Sequence, residues 1–246
     1  MNTEQITIAD GIKIALRYTP PVQGPTYVWC CGFKSDMSGS KVTRLEAWAT
    51  QHGYGFLAFD YSGHGQSTGR FEDGTISSWR RDTLATIAAK TNGPLILVGS
   101  SMGGWMALLA ALALKKQVEA IVLIAPAPDF TDKLMWSNFS RAQQEEILNT
   151  GMTLRPSEYD APYPITRALI EDGREWNLLD AEIPLTLPVR ILQGMQDTDV
   201  PWSHALSLLE QLSTEDVVMH LIKDGDHRLS RDQDIARLIT VCAEFG

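Results

Sequence analysis

Five short apolar runs set the strongest limit on how this chain can fold. They are TYVWCCGF (26–33), GFLAFD (55–60), PLILVG (94–99), VEAIVLIAP (118–126) and PVRILQG (188–194), each bounded by turn residues. Near-continuous apolar runs of this length read as strands buried on both faces. Helical spacing fills most of the gaps between them. Residues 42–52 place Leu45, Trp48 and Ala49 on one side, and 75–90 do the same with Ile76, Trp79, Leu84 and Ile87. Residues 102–115 are apolar nearly all round, as a helix buried in a large domain is. A helix around 202–212, a strand VVMHLI (217–222) and a helix at about 230–244 complete the series. Such alternation predicts an α/β fold, a mostly parallel sheet covered by helices on both faces. Ahead of it, ITI (6–8), Asp10-Gly11 and IKIALRY (12–18) predict a hairpin with a tight primed turn. The rhythm fails only at 127–185, a stretch rich in aromatic and turn residues. It reads as a short helical lid inserted above the strand ends, so one domain over 1–246 is expected.

The net charge of −9 and the lack of any basic run exclude nucleic acid as an expected partner. No run approaches the ~18 apolar residues that a membrane span requires. Cys30, Cys31 and Cys242 form neither a paired set nor a C-x-x-C motif, so neither a disulfide framework nor a structural zinc site is expected. The opening MNTEQITIADG has neither the basic nor the apolar region of a signal peptide. These features lead to the expectation of a soluble, cytoplasmic protein.

The run PLILVG ends in GSSMGG, with a helix predicted straight after it. G-S-S-M-G fits the pattern G-x-S-x-G with Ser101 at its centre. On such a strand-to-helix turn the serine sits in a strained conformation that lifts its hydroxyl out of the sheet. The residues two before and two after it approach each other closely and must be small. Gly99 and Gly103 meet that need, whereas Ser100 would be flanked by Val98 and Met102. The alternative for Ser101 is a plain helix N-cap.

A nucleophilic serine needs a base, and the base an orienting acid; on this kind of turn both come later in the chain. Among the five histidines, His52 ends a helix, His64 precedes the serine, His204 is early in a helix and His220 is inside a strand. His227, in KDGDHR after the last strand, has the required place. In GMQDTDVPW, Asp197 is favoured over Asp199, which better caps the turn that follows. Asp226 is a poor acid because it neighbours His227. The oxyanion of a tetrahedral intermediate would find backbone N–H donors at Met102, beside the serine, and at Phe33, after Gly32. His64 either faces the substrate or, more simply, orders its own glycine-rich loop.

GFKSDMSG, DYSGHGQSTG, VGSSMGGW, GMQDTDVPW and GDHR together resemble the α/β-hydrolases, over nearly the whole chain. Within them the set is similar to the branch of mitochondrial palmitoyl-protein thioesterases that also cleave mycophenolic acid acyl-glucuronide. The resemblance implies Ser101, Asp197 and His227 as a catalytic triad, no metal or cofactor, and a small-molecule or acylated-protein ester or thioester as substrate. By resemblance the mitochondrial matrix is the alternative compartment. Trp136, Phe139, Tyr159 and Tyr163 are candidates for an apolar acyl pocket, their alternative being lid packing. A carbon–carbon bond hydrolase, a cofactor-free perhydrolase or a non-catalytic binding protein would use the same fold.

Overall fold

The computed structural model describes residues 3–155 and 162–246. β1 (Glu4–Thr7) and β2 (Lys13–Thr19) pair antiparallel, Thr7 opposite Lys13. Asp10 and Gly11 between them have φ of 62° and 72°, the left-handed pair that a primed hairpin turn requires. Then follow β3 (Thr26–Cys30), α1 (Ser40–Gln51), β4 (Gly55–Phe59), α2 (Ile76–Lys90), β5 (Leu95–Ser100), α3 (Met102–Ala113) and β6 (Val118–Ile124). Every residue of β3 and β4 is buried, which accounts for their unbroken apolar sequence. Thr75 caps α2 by accepting the Ser78 N–H, and Ser78 returns the bond to the Thr75 amide.

Between β6 and the next strand of the main sheet lie α4 (Arg141–Thr150), β7 (Met152–Arg155), β8 (Tyr163–Thr166) and α5 (Arg167–Arg174). β9 (Val189–Gly194), α6 (Trp202–Gln211), β10 (Val217–Ile222) and α7 (Asp232–Cys242) complete the fold. The main sheet has eight strands in the order β1-β2-β4-β3-β5-β6-β9-β10. The six from β4 to β10 in that order run parallel. From β3 the chain crosses to β4 on one side; from β5 it crosses to β6 on the other. With right-handed crossovers, α1 and α3 therefore cover opposite faces. Such a reversal opens a crevice at the carboxyl ends of the two central strands, where open α/β sheets bind ligands.

Two expectations need correction. The strand predicted over 26–33 ends at Cys30, because Gly32 and Phe33 turn out of the sheet toward the end of β5. The 127–185 stretch is not helical alone. Its β7–β8 ribbon pairs Thr153 with Ile165, both buried, while Met152 and Leu154 face solvent. Four residues of alternation are too few to stand out against a helical reading. Gly151, at φ 90°, ends α4 and starts the ribbon. The ends of the segment are fastened together. The buried Asp129 carboxylate accepts the N–H groups of Leu178 and Leu179, each at 2.8 Å. His204 Nε2 donates to the Pro128 carbonyl at 2.8 Å.

Candidate active site

Ser101 occupies the turn between β5 and α3 with φ 55° and ψ −121°, a conformation sparsely populated by non-glycine residues. Three backbone bonds hold it there. Its N–H donates to Ile124 O at 2.9 Å, and its carbonyl accepts the N–H groups of Gly104 (2.8 Å) and Ala127 (3.1 Å). The glycines answer to the close approach. A Cβ on Gly99 would lie 2.3 Å from Gly103 O, and one on Gly103 would lie 2.0 Å from Cys30 O. Ser100 remains in β5, opposite Ile124.

His227 and Asp197 arrive on two loops that touch. A Cβ on Gly194, at the end of β9, would meet the carbonyls of Gly225 and Asp226 at 2.4 and 2.5 Å. The Gln196 N–H donates to Gly225 O at 2.8 Å. Across this contact His227 Nδ1 lies 2.8 Å from Asp197 Oδ2, and His227 Nε2 lies 3.1 Å from Ser101 Oγ. The Asp197 side chain is fully buried and that of His227 a quarter exposed. Asp197 Oδ1 accepts the N–H groups of Asp199 (3.0 Å) and Val200 (2.8 Å). Asp199 thus contributes an amide to the loop, and its own side chain is exposed. Asp226 accepts the Leu229 N–H at 2.9 Å and shapes the His227 loop.

Gln193 escaped the sequence reading. Fully buried at the end of β9, it donates Nε2–H to Asp197 Oδ2 (3.2 Å), Gly194 O (3.1 Å) and Val200 O (3.0 Å). Its one signal in the sequence is an uncharged polar residue at the end of the run VRILQG, four residues before the acid.

Beyond β3, residues Gly32–Ser35 form a turn closed by the Ser35 N–H on Gly32 O at 3.1 Å. Gly32 packs on the serine; a Cβ there would be 3.5 Å from Ser101 Cβ. Among the described residues, neither the Phe33 nor the Met102 amide has a protein acceptor. Asp60 ties this loop to the one after β4, accepting the Met37 N–H on Oδ1 and the Gln66 N–H on Oδ2, both at 2.8 Å. Burial pushes the Asp60 carboxyl above its ordinary range, against the pull of those two amides.

The Phe33 ring joins the body to the β6–β9 segment. It lies 5.0 Å from Phe71 and 5.8 Å from Trp79 on the body side, and 5.5 Å from Phe130 and 5.7 Å from Tyr163 on the other. The Lys34 ammonium sits over the Phe71 and Tyr163 rings at 4.9 and 5.6 Å. Of the remaining candidates for the acyl pocket, Trp136 carries the Arg174 guanidinium over its ring at 5.0 Å, and Phe139 packs against the core. Tyr159 lies outside the described residues.

Known proteins share this arrangement of chain. The family model of the S33 serine aminopeptidases matches residues 34–171, which include Ser101 and stop short of Asp197 and His227. The mitochondrial palmitoyl-protein thioesterase ABHD10 of Mus musculus is 37% identical over 87% of this chain and 73% of its own. Its Homo sapiens counterpart is 34% identical over 88% and 71%. The chain belongs to the α/β-hydrolase superfamily, on its ABHD10-like branch. The structure of mouse α/β hydrolase domain-containing protein 10 superposes on this hydrolase with a TM-score of 0.91, covering 99% of this chain and 98% of its own at 32% identity. A candidate hydrolase from Agrobacterium vitis S4 does so at 0.96, with the same coverage and 44% identity. The superfamily accounts for the fold, a mostly parallel eight-stranded sheet with helices. Among the described residues, no helix is long and apolar enough to cross a membrane.

Proposed function

We propose that this hydrolase cleaves acyl esters or thioesters through an acyl-enzyme formed on Ser101. The observation that carries the reading is the unbroken hydrogen-bond chain from Asp197 through His227 to Ser101 Oγ. A buried carboxylate can only accept from Nδ1, so the proton sits on Nδ1 and the lone pair of Nε2 faces the serine hydroxyl. As Ser101 Oγ attacks the acyl carbonyl, Nε2 takes its proton, and Asp197 stabilises the imidazolium. The oxyanion forms beside the Phe33 and Met102 amides, at the N-terminus of α3. Fixed donors of this kind are worth about 3 kcal/mol each. Collapse breaks the bond to the thiol or alcohol, which leaves with the proton from His227. Water, deprotonated by the same nitrogen, then releases the acid.

The relatives' name, palmitoyl-protein thioesterase, supports an acyl thioester as substrate. The apolar surround of Phe33, Phe130 and Tyr163 suits an aliphatic acyl group. In this reading residues 127–185 form a lid over a single hydrolase domain, with Trp136, Phe139 and Tyr163 on its substrate side. The relatives are named mitochondrial, which supports a mitochondrial compartment over the cytoplasm. The test is hydrolysis of p-nitrophenyl esters and acyl-CoA thioesters of two to sixteen carbons. The reading expects turnover that rises with chain length and vanishes in Ser101→Ala with the fold intact. Turnover surviving in Ser101→Ala contradicts it.

A further inference from the structure

The loop after β4 holds a histidine that the reaction above does not use. His64 is 4% exposed, and its ring is enclosed by Tyr61 (5.6 Å), Phe71 (5.2 Å) and Trp79 (5.2 Å). Both its nitrogens are committed. The Lys34 N–H donates to Nε2 at 3.2 Å, and Nδ1 faces the Ser62 carbonyl at 3.2 Å. An amide can only donate and a carbonyl can only accept. The ring is therefore neutral, with its proton on Nδ1. Burial, chief among the causes, lowers its pKa to about 4, in keeping with that state.

Lys34 is the third residue of the Gly32–Ser35 turn and has φ 54°, where glycine is the favoured residue. For lysine this conformation is strained, and flipping the Phe33–Lys34 peptide would relieve it. The flip would also turn the Lys34 N–H away from His64 and rearrange the turn that presents the Phe33 amide. The anchor behind His64 is stiff. Ser62 O also accepts the Trp79 Nε1–H at 3.2 Å, and the Ser62 amide and hydroxyl both donate to buried Asp82 Oδ2, at 2.9 and 2.6 Å.

We propose that His64 is a positioning residue: by accepting the Lys34 N–H it holds the Gly32–Ser35 turn with the Phe33 amide aimed at the oxyanion. The proposal rests on the serine-hydrolase reading. Its test compares His64→Val with His64→Gln, whose Oε1 reaches the place of Nε2 and can accept the same N–H. On p-nitrophenyl butyrate, His64→Val should lose roughly 10- to 100-fold in kcat with KM nearly unchanged, the mark of a misplaced transition-state donor. His64→Gln should recover most of that loss. Affinity for a butyl trifluoromethyl ketone, whose hemiketal oxyanion occupies the same place, should fall in step with kcat/KM. A His64→Val enzyme as fast as wild type overturns the proposal. So do equal losses in both variants with equally lowered Tm, which would mark a purely structural histidine. Nitrogen-15 NMR of the wild-type ring tests the contact without turnover: an Nδ1–H tautomer coupled to the Lys34 amide supports it, and an Nε2–H tautomer refutes it. Ser101→Ala on the same ester tests the underlying reading separately.

Discussion

The body of the sheet and the β6–β9 segment are held by different means. In the body, backbone lies on backbone: Gly99 against Gly103, Gly103 against Cys30, and Gly194 against Gly225. Ser101, Asp197 and His227 hang from those contacts. Between its ends, where Ala127 and Ile183 bond the body through backbone, the segment is held by side chains instead. Asp129 grips Leu178 and Leu179, Trp105 Nε1 donates to Trp176 O at 3.2 Å, and Trp176 Nε1 donates to Ser77 Oγ at 2.7 Å. Ion pairs of Lys133 with Asp180 and Arg174 with Asp132 add to this at the surface. Backbone packing allows almost no adjustment, whereas side-chain anchors can be exchanged one at a time. In the proposed reading the rigid part carries the chemistry and the adjustable one the choice of substrate.

Substitutions should separate the two regions. Asp197→Asn keeps the shape of the acid but favours the wrong imidazole tautomer, so kcat should drop by about 10⁴-fold with Tm little changed. Loss of less than tenfold would break the assignment of chemistry to the body. Gly103→Ala has no room for its methyl beside Cys30 O, and should destabilise the fold by about 3 kcal/mol or more, read by urea unfolding.

A pH series sharpens the picture of the body further. The neutral, buried His64 has a pKa of about 4, against 6.5 when free. As pH falls through 6.5 the unfolded chain takes a proton that the folded chain refuses until about 4. Its contribution is therefore full above pH 6.5 and drains away toward pH 4. His64→Gln lacks this titration. The stability gap between wild type and His64→Gln should thus narrow by up to about 3 kcal/mol from pH 7 to pH 4. Buried Asp60, Asp82 and Asp129, whose pKa values burial raises, oppose the trend in both proteins and cancel in the difference.

The smaller effects belong to the segment. Asp129→Ala strands two amides and should cost about 2 kcal/mol, with the melting of the segment preceding that of the body. Trp136→Ala should cost about 1 to 2 kcal/mol, since the ring is only partly buried against the core and carries the Arg174 guanidinium. Its KM should shift more for a sixteen-carbon than for a four-carbon acyl chain. Equal shifts for both would remove Trp136 from the acyl site.

What could be read in advance divides along the same line. Strand runs, the Asp10-Gly11 turn and the small residues around Ser101 are consequences of local sterics, so the amino acids declare them. His227 and Asp197 follow from strand ends, and the strands were legible. Asp60 and His64 act on another loop through contacts distant in sequence, which no local pattern marks. Gln193 reaches only as far as Val200, seven residues on, but a polar residue at a strand end carries no mark of the acid it will hold. The β7–β8 ribbon went unread because its strands have only four residues each. For Phe33 the sequence marked the amide but not the ring, whose four aromatic neighbours come from four separate stretches of chain.

The most direct test is to trap the acyl group. The protein is mixed with an acyl thioester that deacylates slowly, quenched in acid within the first turnover, digested and mapped by mass spectrometry. The account predicts one acyl adduct, on the peptide that carries Ser101 and on that hydroxyl. Steady turnover with the adduct on another side chain, or with none at any time of quenching, would contradict it.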